Sequence, residues 1–168
     1  MALLLRKVRD RRWSATDGLA WLDEGDIPAD PLADLITQEN ALSLWQIEDD
    51  RGNLNRVVAA MAATCDDISH FDYAIFDEAL PTYIGIDLEY APGETPDAGA
   101  NAAWHYNLVR LSGSKILELA KLILRDGERD RINRKRVKSL LAQAVADGNL
   151  EIASLKEKIR AKIDPTAK

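Results

Sequence analysis

Between residues 42 and 77 the apolar positions change period twice, which predicts a strand, a helix and a second strand. In Leu42-Ser43-Leu44-Trp45-Gln46-Ile47-Glu48 apolar groups fall on both alternate faces, as in a strand covered on two sides. The polar run Glu48 to Gly52 breaks it, and Asn53 is placed to cap the next helix. Leu54, Val57, Val58, Met61 and Cys65 then recur at helical spacing, while Ala59, Ala60, Ala62 and Ala63 leave the other side small enough for close packing. Asp66-Asp67 stops the helix, and the aromatic, β-branched run Phe71 to Asp77 returns as a strand. Were the two strands parallel neighbours, their crossover would be right-handed.

Around this unit the pattern is less regular. Residues 2–8 read as a strand that ends in the basic run 9–12, which serves either as a contact surface or as an edge guarded against aggregation. Asp17-Gly18 and Asp26-Ile27-Pro28 mark turns, with Trp21 and Leu22 expected to plug the core. Asp30-Pro31 opens a short helix that carries Leu32, Leu35 and Ile36 inward. A turn at Pro81 precedes residues 83–90, where Ile84, Ile86, Leu88 and Tyr90 alternate with polar or small residues as on a half-exposed strand. Residues 91–101 have no period and predict a long loop. Three helices are expected after Ser112: one ending at Asp126-Gly127, one over 129–146 and one over 150–163, with a frayed tail at 164–168.

The sum is one α+β domain. A small mixed β-sheet from residues 2–8, 42–48, 72–77 and 83–90 is built around the strand-helix-strand unit, with the sheet confined to 1–111 and the three C-terminal helices to 112–163. The 168 residues are enough for one core without disulfides or metal. The hydrophobic fraction of 46% and charged fraction of 30% are those of a soluble globular chain. The first apolar run is interrupted at once by Arg6-Lys7 and no later run reaches membrane-spanning length, so the expectation is a cytoplasmic protein with no membrane partner. The single cysteine, Cys65, lies on the apolar stripe and reads as a buried thiol.

Charge is segregated. The net −6 is distributed as +4 over residues 1–12, −16 over 13–112 and +6 over 113–168. Acidic middle and basic ends either fold against each other or offer a surface to a charged partner.

Candidate chemistry is sparse. Phosphate-binding glycine loops, the zinc-protease helix motif and paired cysteines are absent, and one cysteine with two histidines cannot build a structural zinc site. Asp66, Asp67, His70 and Asp72 could hold a divalent cation at a helix-to-strand junction, although aspartates there also simply end a helix. Asn101, Trp104, His105 and Tyr106 could line a small-ligand pocket beside the long loop, or plug the core. Arg131, Arg134, Lys135 and Lys138 crowd one side of the expected 129–146 helix and could face a partner or nucleic acid. Glu151 stands where a helix-turn-helix reading head would meet phosphate, so nucleic acid is not the expected ligand. The expected function is a non-catalytic protein-protein interaction or regulatory protein without cofactor, of which a homodimer is the simplest form. Its rivals are a metal-dependent or ligand-binding enzyme and a nucleic-acid-binding protein.

Overall fold

The computed structural model describes residues 2–14, 19–23 and 25–164. The turn expected at Asp17-Gly18 and the tail beyond Asp164 lie outside the described residues. The α+β reading holds: a six-stranded sheet carries helices on both faces, and three helices follow its fifth strand.

In chain order the elements are β1 (Leu3–Lys7), α1 (Asp10–Trp13), a 3-10 turn (Asp30–Asp34), β2 (Leu42–Ile47), α2 (Leu54–Ala63), β3 (Phe71–Asp77), α3 (Ala79–Tyr83) and β4 (Asp87–Tyr90). They continue with α4 (Ala98–Trp104), β5 (His105–Val109), α5 (Gly113–Asp126), β6 (Glu128–Ile132), α6 (Arg134–Ala146), a second 3-10 turn (Ile152–Ser154) and α7 (Glu157–Ile163). Strand order is β4-β5-β2-β1-β3-β6, and each neighbouring pair is antiparallel. The predicted strand-helix-strand unit is present as β2, α2 and β3. Its strands run in the same direction without touching, because β1 lies between them and pairs with both, Leu5 standing opposite Trp45 and Ile75.

Alternation along the central strands sorts the core into two layers. Leu5, Trp45, Ile47, Phe71, Tyr73 and Ile75 pack against Val57 and Val58 of α2, Val137 and Leu141 of α6 and Ile159 of α7. Their chain neighbours Leu4, Leu44, Ala74 and Phe76 point the other way, onto Trp13 and onto Leu119, Leu122 and Ile123 of α5. Both faces are therefore dry, which is why β2 and β3 are nearly continuous apolar runs.

Local expectations fail where tertiary context overrides pattern. Residues 83–90 are not one strand: Pro81 sits in the first turn of α3, where no backbone donor is needed, and Gly85 at φ 72° reverses the chain into the four-residue β4. The supposed loop 91–101 ends inside α4, whose start is fixed by the Asp97 side chain accepting from the Ala100 N–H at 2.9 Å. β5 follows α4 without a linker, so Trp104 ends a helix and His105 begins a strand.

The expected 129–146 helix is two elements. Gly127 closes α5, the charged run Glu128–Ile132 pairs with β3 as an edge strand, and Asn133 caps α6 by accepting from the Arg136 N–H. The 150–163 helix is likewise split into a 3-10 turn and α7. Asn53 is the N-cap residue of α2, as expected, but its side chain makes no cap hydrogen bond; its buried amide accepts from the Glu48 N–H and donates to the Gln46 carbonyl, closing the end of β2. Trp21 and Ile36, expected inside, are 70% and 73% exposed.

Candidate functional site: the basic end of the sheet

The C-terminal end of β1, the N-terminal end of β3 and the C-terminal end of β6 meet at one edge of the molecule. The basic run that leaves β1 is held there by two buried carboxylates. Asp34 accepts from the Arg9 N–H at 2.7 Å, the Trp13 indole N–H at 2.9 Å and the Arg12 guanidinium at 2.5 Å. Asp72 accepts from the Asp10 N–H at 3.0 Å. Two successive backbone donors of the α1 turn are thus tied to two different elements, which fixes the turn without using the side chains of Arg9 or Arg11.

Asp72 also receives a two-pronged contact from its cross-strand partner Arg131, Nε at 2.6 Å and Nη2 at 3.1 Å. Burial opposes ionisation of this carboxyl. The Arg131 hydrogen bond, the Asp10 N–H and the charges of Arg131 and His70 outweigh it, and Asp72 titrates below the ordinary carboxylate range. The His70 Nε2 stands 3.7 Å from Asp72. In front of this group opens a cleft of about 470 Å³ whose walls include Lys7, Arg9, Arg11, Ser69, His70 and Arg131.

A second hollow, of about 500 Å³, lies on the other side of the same connection: Ser69 and His70 border the first, Ile68 the second. Arg134, Lys135 and Lys138 of α6 and Lys162 of α7 surround Ile68, so that methylene stems and one isoleucine make an apolar floor under four cationic heads. Lys162 is ion-paired with Asp67. Among the described residues Arg134, Lys135 and Lys138 have no carboxylate in ion-pair contact.

Of the four residues proposed as metal ligands, His70 and Asp72 come together, and the two other aspartates are held elsewhere. Asp66 pairs with Lys156, Asp67 with Lys162 and the Ile68 N–H, and Asp72 with Arg131. Among the described residues no group of three or more histidine, cysteine or carboxylate side chains is placed to hold an ion.

The candidate ligand residues are spent inside the fold. Asn101 accepts from the N–H and hydroxyl of Thr95 and donates to its carbonyl, while His105 Nδ1 meets the Ala91 carbonyl and its ring packs edge-on against Trp45. Trp104 lies under the Arg56 guanidinium at 5.4 Å, and Tyr106 packs edge-on against Tyr90. Together they pin residues 91–97 to the sheet.

The candidate partner surface is rearranged: Arg131 is on β6 and locked to Asp72, whereas Arg134, Lys135 and Lys138 stay together. The pattern had no means of adding Ile68, Ser69 and Lys162, which reach the site through long-range packing. The +4 balance of residues 1–12 was the signal for Lys7, Arg9 and Arg11. No protein-family model, curated protein or solved structure matches this chain.

Proposed function

We propose that the protein is a non-catalytic interaction module that takes an acidic segment of a partner protein in the hollow over Ile68. One observation carries this reading: Arg134, Lys135, Lys138 and Lys162 rim an apolar floor on a chain whose net charge is −6. An apolar side chain flanked by carboxylates satisfies floor and rim together, and desolvation at the floor strengthens the charge contacts at the rim. A polyphosphate backbone would use the rim alone.

The test is fluorescence anisotropy with three labelled probes: a synthetic peptide alternating glutamate and leucine, polyglutamate, and duplex DNA. The mixed peptide is expected to bind best, to weaken with salt, and to lose its binding in the triple variant R134Q/K135Q/K138Q. All three side chains are exposed, so the variant should keep the wild-type circular dichroism. DNA binding as tight as the mixed peptide's, or peptide binding indifferent to the triple variant, would overturn the reading. Light scattering at low and high salt accompanies it, since acidic surface on a second copy is one possible source of such a segment.

A further inference from the structure

We propose that the neighbouring cleft, between α1, β6 and the connection before β3, is a binding site for a phosphomonoester group. It shares no residue with the hollow over Ile68, so the two readings stand or fall separately.

The argument begins with charge. Lys7, Arg9, Arg11 and Arg131 all line the cleft, the carboxylate on its wall is Asp72, and Asp10 of the same turn stands 3.7 Å from Arg131 Nη2, so four cationic side chains meet two carboxylates. Asp72 is 6% exposed at its side chain, with Arg131 and the Asp10 N–H already upon it. It therefore acts as a support beneath the site and leaves a surplus of positive charge facing outward. Lys7 contacts Cys65 Sγ at 3.3 Å and lies 5.4 Å over the Phe71 ring, and among the described residues no carboxylate is in ion-pair contact with it. Arg9 and Arg11 have no ion-pair partner among the described residues. Concentrating this much like charge is unfavourable unless an anion offsets it.

Geometry then selects the anion. Arg131 spends Nε and Nη2 on Asp72, which leaves the two N–H groups of Nη1 in a fixed orientation. Arg9 and Arg11 project from a turn whose backbone is tied down at Arg9 by Asp34 and at Asp10 by Asp72. Donors thus come from β1, α1 and β6, and a tetrahedral dianion with three terminal oxygens can meet them from separate directions where a planar carboxylate cannot. A cleft of about 470 Å³ is larger than phosphate alone and has room for the group that carries it.

The experiment is isothermal titration of the full chain with methyl phosphate, dimethyl phosphate and sulfate, in wild type and in R9Q/R11Q. Methyl phosphate is expected to bind saturably and more tightly than sulfate, and dimethyl phosphate, a monoanion with two blocked oxygens, should not bind. R9Q/R11Q should lose on the order of tenfold or more in affinity, because two charge-assisted contacts are removed. Its melting temperature in the absence of anion should not fall, since both side chains are exposed and the substitutions relieve like-charge repulsion. The triple variant of α6 should bind methyl phosphate like the wild type. A phosphoserine peptide and a sugar phosphate then separate the two sources of the group, and tighter binding of either supports the site. Absence of methyl phosphate binding, equal affinity for all three anions, or affinity unaltered in R9Q/R11Q would overturn it.

Discussion

Asp72 and Asp97 are both buried, and each meets the guanidinium of one arginine. Asp97 joins two elements: Arg56 of α2 contacts it through Nε and Nη2, both at 2.8 Å, and the Ala100 N–H of α4 donates to the same carboxylate. Close approach matters here, because a Cβ at Gly99 would stand 2.5 Å from the Arg56 Nη2 and push it from its partner. Replacing Asp97 with alanine removes a helix cap and a charge-assisted pair together. Asp97→Ala is expected to cost about 2–3 kcal/mol, read as a lowered urea midpoint with unchanged slope. Arg56 is about a third exposed and regains water, which keeps the loss below that of an abandoned buried charge.

At the scale of elements, α2 is the helix whose sequence and structure agree best. Val57, Val58, Ala59 and Ala60 are all buried between the sheet and α6. Val58→Asp places a carboxylate where no donor waits, and the variant is expected to lose its near-ultraviolet dichroism; a folded, soluble variant would contradict the packing described here. The unit β2-α2-β3 was legible because its apolar period is long and its breaks are sharp. β6 was not legible. Glu128-Arg129-Asp130-Arg131 has the composition of a solvated helix, and only the open edge of β3, contributed by residues 71–75, makes it a strand. α4 was hidden for a related reason: its alanines and glycine have no period, and its start depends on an aspartate whose partner, Arg56, is 41 residues away. The candidate site was half readable. Clustered cations on α6 are adjacent in sequence, whereas joining Arg131 to Arg9 and Arg11 needs the sheet.

For the molecule as a whole, acid is the condition that should separate its parts. Burial raises the pKa of Asp97 and of Asp72, and in each case the arginine hydrogen bond, the backbone N–H contacts and the nearby positive charge overcome it, so both titrate below their ordinary values. A carboxyl depressed in the folded state stabilises at every pH above its unfolded value, near 3.9, and this contribution is lost as pH falls through the lower folded value. Stability measured by urea denaturation is expected to drop below about pH 4, with a shallower drop in the double variant D72N/D97N; an equally steep decline would assign the acid sensitivity to other groups. A different consequence follows from the place of β1. Its residues pair with strands about 40 and 70 positions later in the chain, and it has a paired strand on each side, so fraying from either sheet margin must remove another strand before it can release β1. In native-state hydrogen exchange the amides of Leu4 and Leu5 should therefore open only with global unfolding, while those of β4 and β6 exchange through local fraying. Exchange of β1 as fast as that of β6 would mean that the first strand leaves and re-enters a sheet that stays otherwise intact.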